Sequence, residues 1–228
     1  MSALFLLILL MVLMMVGVPV AVSLGLSSIL TMLMFGSQSL TSIAQKFFHT
    51  MQVYPLLAVP FFILAGTFLT TGGVARRMID FANAIVGHFR GGLAMAALLA
   101  SAFFAAVSGS APATVVAVGS VMMVGMVRSG YSKNFSAGLI CNAGTLGILI
   151  PPSIVMVVYG AITETSIGKL FMAGVVPGIL LTGMMMLTIS VIAGKQDFPR
   201  QPKADFTTVW KTFREAIWGL LFIVIIMG

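Results

Sequence analysis

Two short stretches place oxygen atoms where their surroundings are hydrocarbon. "SGSAPAT", Ser108 to Thr114, sets the hydroxyls of Ser108, Ser110 and Thr114 around Gly109 and Pro112, between the apolar runs Leu93 to Val107 and Val115 to Val127. The second, "CNAGTLGILIPPSIVMVVYG" from Cys141 to Gly160, carries Pro151 and Pro152. A proline has no N–H, so the carbonyls four residues earlier, on Gly147 and Ile148, lose their helical partners and need another ligand. Hydroxyls and freed carbonyls are neutral oxygen ligands of the kind a hard cation prefers. A helix restarting after the first break turns its positive end toward a carboxylate. For either break alone, close helix packing by small residues is a sufficient account; the pair favours the broken-helix site by which secondary transporters hold substrate and ions near the midplane.

Other chemistries lack their residues. Neither a Ser/His/Asp set nor HExxH lies in an apolar stretch, so the chain does not read as an enzyme. Asp80, Glu164, Asp197, Asp205 and Glu215 all read as span ends or loops, which leaves no buried carboxylate for a proton relay. His49 and His88 read as surface histidines, and the lone Cys141 excludes an intrachain disulfide. The 18 methionines show no ligand spacing with Cys or His and read as packing or lipid-facing residues.

The elements that must position the two breaks follow from composition. Of 228 residues, 60% are hydrophobic and 7% charged, with mean hydropathy +1.15, whereas a soluble domain carries about a quarter charged residues. This is the composition of an all-α polytopic membrane protein surrounded by lipid. The net charge of +7 forms no basic face with interleaved aromatics, so nucleic acid is not an expected partner. Arg76, Arg77, Arg90, Arg128, Lys133, Lys195, Arg200, Lys203, Lys211 and Arg214 fit on one side and Lys46 and Lys169 on the other, which makes the first side, and the N-terminus, cytoplasmic.

Along the chain, a first span is expected within Ala3 to Phe35, kinked at Gly17-Val18-Pro19. An external segment, Gly36 to Tyr54, leads to a second span over Pro55 to Thr71. Gly72 to Gly92 has the pattern of an interfacial amphipathic helix. Val115 to Val127, counted as a helix of about thirteen residues and roughly 20 Å, falls short of the roughly 30 Å hydrocarbon core, so Leu93 to Val127 is expected to enter and leave from the cytoplasmic side as a hairpin. Trp210 and Trp218 flank a last, short span as interface anchors. The resulting organisation is 1–71 as scaffold-like spans, 72–92 as the interfacial helix, 93–161 as hairpin and broken helix, 162–194 as the following span and 195–228 as linker and truncated span.

"GVPVAVSLG", "VPFFILAGTFL", "SGSAPATVVAVGSV", "GTLGILIPPS" and "KLFMAGVVPGILL" occur in that order across essentially the whole chain. In this combination the sequence resembles the large, DctM-like membrane subunit of tripartite ATP-independent periplasmic (TRAP) transporters, members of the ion-transporter superfamily. The resemblance implies one inverted-repeat half of an elevator fold, with a re-entrant helical hairpin and a discontinuous helix. It also implies a bacterial inner-membrane, multi-pass subunit for sodium-coupled uptake of a small organic anion, such as a C4-dicarboxylate, a sialic acid, another sugar acid or a keto acid. A periplasmic binding protein delivers the anion, and a small four-helix membrane subunit works alongside. No cofactor is implied beyond the coupling sodium ions. Carried over by position, the hairpin tip falls on Ser108, Gly109, Ser110 and Ala111 with Thr114 beyond, and the broken helix on Asn142, Gly144, Thr145, Gly147, Ile148, Pro151, Pro152 and Ser153. Sodium is then expected at Ser108, Ser110, Thr145 and Gly147. The chain departs from the family by stopping at "AIWGLLFIVIIMG", so it reads as the N-terminal half of such a subunit. A carrier of the same superfamily that works without a binding protein, and a membrane scaffold subunit, are the alternatives.

Overall fold

A computed structural model describes residues 2–36, 39–195, 198 and 200–227; Asp197 lies outside them. The chain forms two compact units, Met1–Tyr54 and Pro55–Gly228.

The first unit holds α1 (Ser2–Met15), α2 (Val20–Phe35) and α3 (Leu40–Met51). The expected kinked span is instead a helical hairpin. α1 and α2 pack along each other, and the rings of Phe5 and Phe35, from opposite ends of the segment, lie 5.2 Å apart. The reversal comes from Gly17, whose φ of 88° lies in the left-handed region that glycine adopts without penalty. Pro19 then sits at the N-cap of α2, where a missing N–H costs nothing. Ser23, Ser27 and Thr31 are the buried residues of α2, and their hydroxyls donate to the carbonyls of Val18, Leu24 and Ser27. Small side chains spaced four apart let helices approach closely, and back-bonding removes the cost of burying their hydroxyls. The segment expected as an external connection contains α3, whose N-terminal amides are capped by Ser39 through Ser42 N–H at 3.2 Å.

The second unit is built around α6. In order it contains α4 (Tyr54–Thr71), α5 (Val74–Val86), α6 (Gly92–Ser108), α7 (Ala111–Arg128), α8 (Lys133–Gly144), α9 (Leu146–Leu149), α10 (Ile154–Thr163), α11 (Ile167–Lys195) and α12 (Phe206–Met227). α6 is buried along most of its length and packs on α5, α7, α8, α9, α11 and α12. Its alanines, among them Ala94, Ala96, Ala97, Ala100 and Ala105, admit that many neighbours, while Leu98 and Phe104 fill the space between them.

Three expectations change in this unit. α7 has 18 residues rather than about thirteen. Ser110 caps it and Pro112 stands in its first turn, so the helix begins before the hydrophobic run does. At about 27 Å it has the length and composition to cross a membrane, and length no longer argues for re-entrance. α5 buries Ala75, Met78, Ile79, Phe81, Ala82 and Val86 against α6 and α12, so the apolar face expected in the membrane interface is covered by protein. α12 starts at Phe206, ahead of the expected short span, because its polar first half continues the same helix. It runs antiparallel to α5: Phe213 meets Phe81 at a ring distance of 5.4 Å, and a Cβ on Gly219 would lie 2.8 Å from Val74 and Met78 side-chain atoms.

The connection from α11 to α12 is tied to this body. Phe198 stacks on Tyr131 at 4.3 Å and tilts against Phe135 at 5.5 Å, both at the base of the α7–α8 turn. Gln201 donates its N–H to Gly87 O at 3.3 Å and accepts from the Asn83 side-chain amide at 2.7 Å.

Asp80 sits beside the α5–α12 packing. Burial pushes its carboxyl above the ordinary carboxylate range, Arg76 pulls it back, and Glu215 on α12 pushes it further up. A carboxyl raised by folding stabilises below its unfolded value of about 3.9, and that contribution is lost as pH rises through the folded value. Ionised Asp80 therefore weakens the contact at neutral pH. Asp80→Asn is expected to raise the melting temperature in detergent at neutral pH, with the gain shrinking as the solution is acidified toward the carboxylate range. An equal gain across that range would trace it to something other than the charge.

Candidate functional site

Two chain reversals meet to make the site. α6 ends at Gly109, which has φ of 61° and donates its N–H to Ala105 O at 2.9 Å. Ser110 returns to extended backbone and its Oγ accepts from Ala113 N–H at 3.5 Å, which starts α7. On the other side α8 and α9 run to Leu149, where Ile150 turns extended and its N–H bonds Leu146 O at 2.7 Å. Pro151, Pro152 and Ser153 form the elbow, and α10 leaves bent by 40° from the line of α8 and α9.

Tip and elbow touch backbone to backbone. The N–H of Ile154 donates to Gly109 O at 3.0 Å. A Cβ on Gly109 would lie 2.7 Å from Pro152 O, and one on Gly147 would lie 2.8 Å from Ser110 C and 2.9 Å from Ala111 N. Gly144 is likewise required, because a Cβ there would overlap Val115. These distances leave no room for any side chain at the three positions.

The hydroxyls form a small buried network. Ser108 Oγ and Thr114 Oγ1 are 3.2 Å apart, Thr114 Oγ1 donates to Ser110 O at 2.9 Å, and Ser108 Oγ reaches the same carbonyl at 3.4 Å. Thr114 thus bonds back to its own helix. Ser153 differs: it is 1% exposed, caps no amide of α10, and its Oγ has no hydrogen-bond partner among the described residues. A buried hydroxyl without a partner costs about 1–3 kcal/mol.

The structure brings together Ser108, Gly109, Ser110, Ala111, Thr114, Gly144, Gly147, Pro152 and Ser153. Pro151 is buried in the elbow, while Ile148 is 43% exposed. Asn142 and Thr145 are exposed; the Asn142 amide donates to Gly138 O at 2.8 Å, and the Thr145 hydroxyl to Asn142 O at 2.7 Å. Both line a cavity of about 470 Å³ between α8 and α11, with Leu181, Met185 and Thr188.

Two contributors escaped sequence reasoning. Gly174 and Gly178 of α11 seat the elbow, since a Cβ on Gly174 would lie 2.7 Å from Leu149 O and one on Gly178 2.9 Å from the Ile150 side chain. Their spacing of four was the available signal. On α4, a Cβ on Gly66 would lie 3.9 Å from Ser108, and Thr67 and Thr70 share with Ser108 and Ser110 a cavity of about 320 Å³.

The electrostatics follow from helix ends alone. α6 and α9 point their C-terminal ends at the junction, and α7 and α10 begin there. Carbonyls at a C-terminal end attract a cation and amides at an N-terminal start attract an anion, each end acting as about half a charge.

With this geometry in view, comparisons with known proteins become decisive. Residues 7–228 match the family described as "Tripartite ATP-independent periplasmic transporter, DctM component". The chain belongs to the DctM family. It is similar, at 61% identity over 228 residues, to the C4-dicarboxylate TRAP transporter large permease protein of Pseudomonas aeruginosa, covering 100% of this chain and 53% of that protein. The corresponding protein of Vibrio cholerae is 56% identical over 229 residues, covering 100% of this chain and 51% of its own length. The sialic acid TRAP transporter permease of Haemophilus influenzae is 36% identical over 212 residues, covering 93% of this chain and 34% of that protein. The chain thus spans about half the length, or less, of the curated relatives it matches. DctM proteins are transporter permeases, a membrane family rather than an enzyme family, and the apolar helices of this chain accord with that.

Gly147→Ala is expected to push the tip off the elbow and to cost about 1–3 kcal/mol, the usual price of overpacking. Gly138→Ala, on the same helical segment with nothing within 4 Å of its Cβ, should be neutral or stabilising by up to about 1 kcal/mol. Thermal melts of both variants make the comparison; equal effects would show that the tip can yield.

Proposed function

We propose that the chain is the hairpin-bearing half of a sodium-coupled carrier for small organic anions. Residues 93–161 form the part that moves with the substrate, 1–71 belong to the scaffold side, and 72–92, 162–194 and 195–228 connect them. The observation that carries the reading is the junction of Gly109 with Ile154 beside the unpartnered Ser153 hydroxyl. Sodium is assigned to the carbonyl-rich C-terminal ends of α6 and α9, with Ser108 and Ser153 as hydroxyl ligands. The carboxylate is assigned to the positive starts of α7 and α10, where Ser110 and Ala111 stand, the amide of Ala113 being held by Ser110 Oγ and that of Ile154 by Gly109 O. Ser110 O, which already accepts from the Thr114 hydroxyl and amide, serves to hold the tip rather than to bind the ion.

C4-dicarboxylates are the favoured substrates, because the relatives at 61% and 56% identity carry that name and the sialic acid permease stands at 36%. The remaining assignments follow from the family: an elevator movement in the bacterial inner membrane, a small four-helix membrane subunit beside the permease, and delivery by a periplasmic binding protein. Few charges stand on the sides of the spans expected to face outward, where Lys46 and Lys169 are the cations, so electrostatic steering of a dilute anion is weak. A soluble protein that delivers the anion compensates for that weakness.

Ser153→Ala separates a sodium ligand from a folding residue. Removing an unpartnered hydroxyl breaks no protein hydrogen bond, so the sodium-free melting temperature of the full-length subunit should stay level or rise. The additional stabilisation that sodium confers by binding the folded state should fall, and the sodium requirement for uptake in proteoliposomes should increase. Unchanged sodium dependence of both melt and uptake would remove Ser153 from the site. A second test concerns delivery: the full-length permease with its small subunit should show negligible uptake until the binding protein is added. Equal uptake without it identifies a stand-alone carrier.

A further inference from the structure

Between α6 and α11 lies a groove of about 460 Å³, away from the hydroxyl network. Leu99, Ala102 and Ala106 form one wall and Ile179, Gly183 and Met186 the other, with Pro151 of the elbow at its floor. Its one hydroxyl side chain, Thr182, donates to Gly178 O at 2.8 Å and so has no hydrogen to offer an occupant. Ile179 is 67% exposed while lining the groove, so within this chain the mouth opens on the apolar face of α11.

The two helices are antiparallel and meet at their basic ends: a Cβ on Gly91, just ahead of α6, would lie 2.8 Å from Ala193 Cβ near the end of α11. Arg90 precedes that contact and Lys195 closes α11, both exposed. Measured along α6, the groove begins at Leu99 and ends at Ala106, about 12 to 22 Å from Gly91 at about 1.5 Å per residue. One leaflet of the hydrocarbon core is about 15 Å deep, with the headgroup layer above it. The charged pair and the groove are therefore separated as a phosphate is from the lower part of its acyl chain.

We propose that this groove is a binding site for an anionic phospholipid, its phosphate held by Arg90 and Lys195 and one acyl chain lying along α6 and α11 as far as Pro151. Basic residues at the ends of membrane helices recognise such headgroups, and an apolar wall with no free donor selects a hydrocarbon chain. Contact with Pro151 makes the bound chain part of the packing that supports the elbow, so the lipid bears on the transport site from outside it.

The test uses the full-length permease with its small subunit, purified in a neutral detergent from membranes containing phosphatidylglycerol and phosphatidylethanolamine, with retained lipid quantified by mass spectrometry. The wild-type complex is expected to retain phosphatidylglycerol several-fold above its share in the membrane. The double variant Arg90→Gln with Lys195→Gln should lose that enrichment. Gly183→Phe fills the groove from a position where a Cβ meets nothing within 4 Å, and should release the lipid while the complex stays folded and assembled. Dihexanoyl phosphatidylglycerol, whose chains are too short to reach the groove, should not displace the retained lipid. Retention in proportion to membrane composition, or an unchanged lipid content in Gly183→Phe, would overturn the proposal. So would displacement by the short-chain lipid, which would reduce the site to a headgroup contact, or failure of Gly183→Phe to assemble, which would mean that protein fills the groove.

Discussion

One main-chain hydrogen bond, from Ile154 N–H to Gly109 O, joins the two places where helices stop inside the apolar body of the second unit. Every helix end leaves up to four backbone groups without partners, and in hydrocarbon each such group costs several kcal/mol. Two breaks at separate locations would each carry that cost alone. Bringing them together lets the ends satisfy one another in part, and makes the polar tip and the polar elbow a single feature. The requirement falls on glycine: Gly109, Gly144 and Gly147 bring main chains within contact of each other, and Gly174 and Gly178 give the elbow its seat on α11.

The surroundings hold that junction by dense packing rather than by charge. α6 is sunk among six helices, and its alanines let them approach closely enough that the hairpin, the broken helix and α5 form one packed body. The linker after α11 is bound to the same body through Phe198 on Tyr131 and Gln201 on Gly87. α4 is the contrast. It reaches the tip at Gly66, while the hydroxyls of Thr67 and Thr70 are bonded to carbonyls of α4 itself, those of Ile63 and Gly66. A contact made of a glycine and self-satisfied hydroxyls has no directional bond across it.

The breaks themselves were legible because glycine, proline and hydroxyl residues interrupt apolar runs for few other reasons, and the meeting of Ser110 with Gly147 was inferable from having two of them. Helix limits were not legible from hydropathy. α7 starts at Ala111 because Ser110 caps it and Pro112 fits its first turn, whereas counting apolar residues started it at Val115. Gly17-Val18-Pro19 reads as a kink from its proline, whereas the left-handed φ of Gly17 makes it the turn across which Phe5 meets Phe35. The apolar stripe of α5 is likewise the same whether lipid or α12 covers it. Asn142 and Thr145 sit in the right segment by spacing, but their direction around the helix places them in a groove facing α11. For α5, and for Asn142 and Thr145, local sequence fixes the element and a distant partner fixes its role.

A site made of helix ends has a property that a site made of charged side chains lacks: it is close to neutral as a whole. The twelve cationic and five acidic side chains of this sequence lie outside the tip and elbow motifs, so within this chain those motifs offer a bound ion only the partial charges of carbonyls, amides and hydroxyls. A lone cation at the ends of α6 and α9 would leave a net charge in a medium of low dielectric, where charges interact strongly and solvation is poor. A lone carboxylate at the starts of α7 and α10 would do the same with opposite sign. Bound together, each supplies counter-charge to the other. On the proposed reading, coupling then needs no dedicated relay between ion and substrate. It follows from the neutrality of the junction, which favours an anion and cations bound in numbers whose charges balance, more than one sodium for a dicarboxylate.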